Sequence, residues 1–435
     1  MHEPESDGFI DIKKIADSEE NEKKQSVFKL LFKGTKKNER QENTDDRPIV
    51  DAYAKKQSDR FGTVSSVLWV ALTLFVVLFL TFFGDKITTI SMQRAFRDML
   101  GRGETQNGVS EYYFSINENA SFGSLSGTPI IAGSDRVVIF APDGTHQYSD
   151  ESIYSLPKLE TSGDYAIIYD RAGNSFGVYD SLGVKYTEKE GNAIYSATVS
   201  DSGSFAVARH GNDYTSEIKV YTPDMKVRNL IKKNNRVASM DMNGKTGEIA
   251  LLTYSVTYDG RVESELMILD TESDAPKKII NLEEGFPIEC RYLDNGNIVI
   301  LFEDFLTLVD ANGKTVSSRA LDCGDMHMYK LSDTGALVYA KRIVDNSERF
   351  SVHTVLMSEN SVKSFDLSVD GGLVGLNISK ETAYIITESS AVSVNMSSGK
   401  DKKVYNSSEK LKYFIEMSDE TYACFATSIK KTEMK

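Results

Sequence analysis

From Leu159 to Thr427 the chain alternates polar turns with short apolar runs, and the pattern recurs seven times. The clearest copies read S-D-S-G-S-F-A-V-A from Ser200, S-D-T-G-A-L-V-Y-A from Ser332 and D-N-G-N-I-V-I-L-F from Asp294. Turn residues followed by period-two runs rich in β-branched and aromatic residues predict β-hairpins. The first hairpin of each repeat turns near Gly163, Gly203, Gly244, Gly296, Gly335, Lys380 and Asp419, at steps of 40, 41, 52, 39, 45 and 39 residues. A second hairpin follows, with turns at Asp180–Gly183, Pro223–Asp224, Thr271–Asp274, Asp310–Gly313, Ser358–Asn360 and Ser397–Lys400. Four strands in roughly 40–45 residues is the unit of a β-propeller blade. The expected fold is therefore all-β, a propeller over residues 110–430.

The repeats also predict how the ring closes. Seven first hairpins face only six second hairpins, and the missing one is V-V-I-F-A-P-D-G-T-H-Q-Y at Val137–Tyr148. Seven blades result if the two ends of the chain share a blade, which removes open strand edges. Eight blades result if Tyr113–Ala132 supplies inner strands of its own.

The pattern changes completely upstream. Residues 61–84 carry no charge, and Val64–Phe83 holds 14 Val, Leu or Phe residues. That is about the 20 residues a helix needs to cross a bilayer core, so this stretch predicts a single transmembrane helix. Only Ser65, Ser66, Thr73 and Thr81 are polar, and a hydroxyl can bond back to its own helix. Sixty residues precede the stretch, which argues for an uncleaved signal anchor. Residues 1–60 are dense in charge and poor in aromatics, as in a disordered tail. Within them Phe28, Leu31 and Phe32 share a helical face among lysines, an arrangement suited to anionic lipid. Lys and Arg number 13 in the 60 residues before the stretch and 5 in the 60 after it. The positive-inside tendency then places the tail in the cytoplasm and the C-terminal domain outside the cell membrane. Residues 85–109 read as a short stalk helix, Ile87–Leu100, and a glycine-rich link.

Charge narrows the partners. The chain carries a net −14, of which residues 85–435 hold −13. Nucleic-acid affinity comes largely from basic side chains on phosphate, so nucleic acid is excluded as a partner. Three scattered cysteines, Cys290, Cys323 and Cys424, do not make a disulfide framework, and Cys424 in Y-A-C-F-A reads as a buried thiol.

The S-D-x-G motifs at Ser200 and Ser332, and S-D without the glycine at Ser418, resemble the S-P-D-G blades of bacterial WD40-like propellers. The layout of tail, span and ring is similar to that of an uncharacterised family of membrane-anchored propellers from Gram-positive bacteria. The resemblance implies the fold over about residues 110–430 and no particular activity, since such rings host many functions. No blade carries a G-H or W-D dipeptide. Trp69 is the only tryptophan, so the Trp-bearing motifs of quinone-dependent propeller dehydrogenases and sialidase-type Asp boxes are missing as well.

No catalytic, cofactor-binding or metal-binding residue is assigned. The chain lacks H-E-x-x-H, G-x-S-x-G and Walker motifs. Asp322, Cys323, Asp325 and His327 form the densest polar cluster, yet it reads better as a solvated loop between blades than as a metal site. Asp241-Met-Asn243-Gly244 is ordinary turn chemistry rather than a calcium loop. His146, His210 and His353 stand apart in strand or turn contexts. The expected function is ligand binding without catalysis: an extracytoplasmic propeller that takes a protein, peptide or envelope ligand. Two alternatives remain. One is an envelope-polymer hydrolase or lyase using carboxylates on one face, such as Glu303 and Asp304. The other is a transmembrane ligand sensor.

Overall fold

The recurring S-D-x-G segment folds the same way in each of its clear copies. In the turn after Val199, Ser200 N donates to Ser204 O (2.8 Å) and Gly203 N to Ser200 O (3.0 Å). The same two bonds recur at Leu293–Asn297 and Ser332–Ala336. This five-residue turn ends in a left-handed residue, which the glycines supply with φ of +83° at Gly203 and Gly296 and +78° at Gly335. Only glycine takes that conformation without steric cost. The motif is therefore a hairpin specification, and the apolar run after it is the second strand.

The structure, a computed structural model, describes residues 68–74, 77, 120–141, 146–271, 273, 275–282, 285–322, 324, 326–343, 348–359, 361–417 and 420–435. The chain divides after Gly84 into two units. In the first, residues 68–74 and 77 are helical and exposed. Among the described residues no helix is long and apolar enough to cross a membrane. The tail, the ends of the uncharged stretch and the expected stalk helix lie outside the described residues.

In the second unit the described residues form 31 strands in eight antiparallel sheets, each a meander with its strands in chain order. Blades 1 to 8 span residues 121–150, 157–189, 194–233, 236–281, 287–320, 326–370, 373–406 and 411–432. Seven sheets have four strands and the last has three. The all-β propeller expected from the repeats is what forms, and the ring has eight sheets. The eighth is the one whose existence hung on Tyr113–Ala132. Ser121–Leu125 and Thr128–Ala132 pair with each other across Ser126 and Gly127, both at positive φ. Thr128–Ala132 then pairs with Val137–Phe140. The hairpin at Val137–Tyr148 thus belongs to a complete first blade and does not finish the last one. The Gly- and Ser-rich strand S-F-G-S-L hides this blade from a hydrophobicity pattern.

Closure comes from side chains. Each sheet buries both faces, and the period of two sends alternate residues to opposite seams. Phe205 and Val207 pack toward blade 2, while Ala206 and Ala208 pack toward blade 4. Hence a run such as I-V-I-L-F at Ile298–Phe302 is buried throughout. Eight apolar clusters fill the eight seams. The eighth joins Ile131, Val138 and Phe140 of blade 1 to Ile415, Tyr422 and Cys424 of blade 8. Cys424 is buried there, as its apolar context predicts, and burial pushes its thiol pKa up.

Two substitutions test these points. Gly296→Ala leaves the added methyl in open space, so it costs only the left-handed strain of about 1–2 kcal/mol. Gly335→Ala also places a Cβ 2.6 Å from Met357 O, and urea unfolding is expected to show the larger loss. Phe140 is fully buried in the closing seam. Phe140→Ala is expected to cost about 3–5 kcal/mol, and a loss below about 1 kcal/mol in the same assay would refute closure by packing.

Candidate functional site: the mouth of the central channel

The first strand of every blade runs toward one end of the ring. Their last residues and the turns that follow line a single mouth of about 550 Å³. In blades 3 to 8 the inner strand has near its end a polar residue at this space followed by an apolar one. T-V at Thr198, R-Y at Arg291 and K-L at Lys330 show the pattern just ahead of their turns. Every blade contributes to the lining, its inner strand supplying among others Gly123, Glu160, Thr198, Asp241, Arg291, Lys330, Asn377 or Glu416.

Arg291 organises the centre. Its Nη1 and Nη2 donate to the two carboxylate oxygens of Glu160 at 2.5 and 2.8 Å. Glu160 is in blade 2 and Arg291 in blade 5, so this bidentate pair ties blades from different sides of the ring. Arg291 Nε donates to Glu289 Oε1 (2.8 Å), and Nη1 lies 3.7 Å from Asp241 Oδ1. Tyr329 donates its hydroxyl to Glu289 Oε2 (3.0 Å), and Tyr292 N donates to Asp241 Oδ2 (2.7 Å). One guanidinium thus serves three carboxylates, a use suited to its fixed fork of donors.

The electrostatics follow from this crowding. Burial opposes the charge of Glu289, yet the Arg291 guanidinium wins and holds the carboxyl below its ordinary value. Burial likewise works against Arg291, but Glu160, Glu289 and Asp241 keep it charged well beyond the usual range. Asp241 goes the other way. Burial pushes it up to about 6, against the pull of Arg291 and of the Tyr292 N–H. Lys158, coupled to Glu289 and Glu160 from the same region, is lowered by burial and by Arg171.

Most acids of the mouth already have partners. Its central carboxylates are committed to one arginine, and Glu416 accepts from the Tyr384 hydroxyl. The outer turns add Asp201, Asp294 and Asp333. Ser162 donates to Asp201 (2.5 Å), and Lys245 Nζ lies 4.0 Å from Asp294. Six acids and three bases line the opening, so the field at the entrance favours cationic groups.

The residues singled out from sequence lie elsewhere or do something simpler. Asp322 pairs with Lys341 at 2.7 Å on the surface, and the His327 ring faces Phe350. Cys323 and Asp325 lie outside the described residues. Among the described residues no three His, Cys, Asp or Glu side chains are grouped to hold a metal. Asn243 caps its own turn by accepting from Lys245 N and Thr246 N, both at 3.0 Å. Glu303 and Asp304 are exposed on a hairpin turn at the end opposite the mouth. His353 is not isolated: its Nδ1 lies 2.7 Å from Asp366 and its Nε2 3.0 Å from Ser351. That chain has the order of a nucleophilic relay. Ser351, however, sits mid-sheet with paired strands on both sides, so the ladder occupies the backbone donors that an oxyanion would need.

Eight radial sheets around a polar mouth crossed by an ion-paired arginine define an all-β propeller. The chain belongs to the family described as a family of unknown function, DUF5711, whose model matches residues 104–435. No curated protein matches it. Among solved structures it is similar to Sqt1 of Saccharomyces cerevisiae, at 10% identity and a TM-score of 0.52, over 76% of this chain and 100% of that one. BamB of Moraxella catarrhalis, at 13% identity and a TM-score of 0.48, covers 75% of this chain and 97% of its own. Such identities speak to the fold alone.

The Asp241 carboxyl gives a pH prediction. Its folded pKa of about 6 exceeds the ordinary 3.8, so the native state holds the proton more tightly than the unfolded chain. The contribution is favourable below about pH 4 and is lost as pH rises toward 6. Relative to Asp241→Asn, the wild-type protein is expected to lose up to about 3 kcal/mol of stability between pH 4 and pH 7. Parallel pH profiles for the two proteins in urea unfolding would show that Asp241 ionises normally.

Proposed function

We propose that this is a single-span membrane protein that presents its propeller outside the cell and binds a protein, peptide or envelope ligand at the mouth, without catalysis. The observation that carries the binding reading is the mouth itself. Inner strands of all eight blades contribute to it, and two of its three central acids, Glu160 and Glu289, are hydrogen-bonded to Arg291. Acidic turns around the opening favour a ligand with exposed amines or guanidinium groups.

The anchor reading rests on the 24 uncharged residues from Phe61 to Gly84. The part of that stretch that is described is helical, and there Thr73 Oγ1 donates to Trp69 O at 2.8 Å. A hydroxyl satisfied within its own helix suits a bilayer, where no water is available to it. The excess of Lys and Arg before the stretch supports an internal N-terminus.

Protease added to intact cells is expected to digest the ring and spare the N-terminal tail; a protected ring would overturn the orientation. A photo-crosslinking residue replacing Asp333 at the mouth is expected to yield a discrete adduct in cells. The same residue replacing Asn312, on an outer-strand turn at the same end but outside the lining of the mouth, is expected to yield none. Equal adducts at both sites would remove the mouth as the binding surface.

A further inference from the structure

The end of the ring opposite the mouth differs from it in kind. There the second turn of each blade and the links between blades meet solvent. Ile153 (82% exposed) and Leu156 lie on the link from blade 1 to blade 2, and Phe286 on the link from blade 4 to blade 5. Val256 (61% exposed) and Tyr258 belong to a hairpin of blade 4, and Ile343 to one of blade 6. At the mouth end the exposed apolar side chains among the described residues are valines at the starts of outer strands, Val184, Val227 and Val316, and none is aromatic.

The blade 4 hairpin is the most prominent. Its strands Ile249–Val256 and Val262–Leu269 continue their ladder through Ser255↔Glu263 and Val256↔Val262. The neighbouring inner strand stops pairing at Tyr254, so the hairpin extends roughly 7 Å past it, at about 3.4 Å per residue. The tip is rigid. Thr257 N donates to Arg261 O and Gly260 N to Thr257 O, both at 2.9 Å. Thr257 Oγ1 also bonds Asp259, and Arg261 pairs with Asp259 at 2.7 Å. That pair makes the tip neutral and holds the fully exposed Tyr258 outward. Phe286 stands beside the base of the hairpin, its ring 4.9 Å from Tyr254.

We propose that this face rests on the lipid bilayer, with Tyr258, Val256, Phe286, Ile153 and Ile343 entering the headgroup boundary. The proposal rests on the single-span reading above. The apolar points are spread from blade 1 to blade 6, wider than one compact patch, and the blade 4 hairpin leads them. Tyrosine and aliphatic side chains suit that boundary. The first strand, Ser121–Leu125, begins at this end, so the ring's N-terminal entry is on this face. Exposed Glu303 and Asp304 at the same end favour zwitterionic over anionic headgroups.

Trp69 is the only tryptophan, which makes the test direct. The full chain carrying Trp69→Phe and either Tyr258→Trp or Ala311→Trp is placed in phosphatidylcholine nanodiscs. Ala311 is an exposed turn residue at the mouth end. Lipid brominated on the acyl chain near the headgroup is expected to roughly halve the emission of the Tyr258→Trp variant, as for side chains about 5–10 Å into the boundary. The Ala311→Trp variant is expected to be unaffected. If wild-type Trp69 is quenched and the Tyr258→Trp variant is not, the anchor stands and lipid docking is overturned, leaving the face to a protein. If Trp69 itself escapes quenching, the span and the docking fail together. Equal quenching of both engineered tryptophans overturns the preferred face.

Discussion

Every blade here has two apolar faces, and that single constraint governs the rest. A sheet buried on one side can end a stack, but a sheet apolar on both sides needs a neighbour on each. Only a ring gives every sheet two neighbours. The first and last blades meet through Phe140, Val138, Tyr422 and Cys424, so closure needs no strand exchanged between the chain ends. Polar residues are then confined to the axis, the outer strands and the two sets of turns.

The axis is where this confinement becomes chemistry. Eight inner strands contribute residues to one space, and charges brought together away from bulk water are costly unless paired. Arg291 meets this by binding Glu160, Glu289 and lying beside Asp241. The residual strain falls on Asp241, the acid that burial raises. A half-buried ion network of this kind adds little net stability over an apolar filling. What it does add is a fixed geometry, because breaking any one arm leaves a charge without its partner.

Much of the fold could be read from the sequence because its determinants are local. The S-D-x-G turn encodes its own left-handed residue and pair of backbone bonds, and the runs after it encode the alternation. What stayed hidden is non-local or compositionally weak. S-F-G-S-L carries little hydrophobic signal, so the first blade looked like half of the last. Gly123 is needed there because a Cβ would come 2.7 Å from the Leu159 side chain. The Glu160–Arg291 pair joins positions 131 residues apart, and His353 finds Asp366 only through the strand register. A faint signal for the site did exist: arginine and lysine occupy the same offset before their turns in R-Y-L-D-N-G and K-L-S-D-T-G. Charged residues on an innermost strand have nowhere to go but the channel.

The two ends of the ring are therefore made by the same repeat but obey different rules. At the mouth, turns follow inner strands and must be tight, because eight of them converge around one axis. Tight turns select Gly, Asp, Asn and Ser, so the entrance becomes polar and acidic as a consequence of geometry, before any ligand is considered. At the opposite end the links between blades vary in length and the hairpins can outgrow their neighbours, as Ser255 to Glu263 do. A hairpin of the two middle strands, which does not face the axis, can leave a large side chain such as Tyr258 in solvent. A compact polar entrance is suited to reading a small charged feature. A broad face with separated apolar points is suited to resting on a surface. The asymmetry of this molecule thus follows from which turns sit on the axis side of an inner strand.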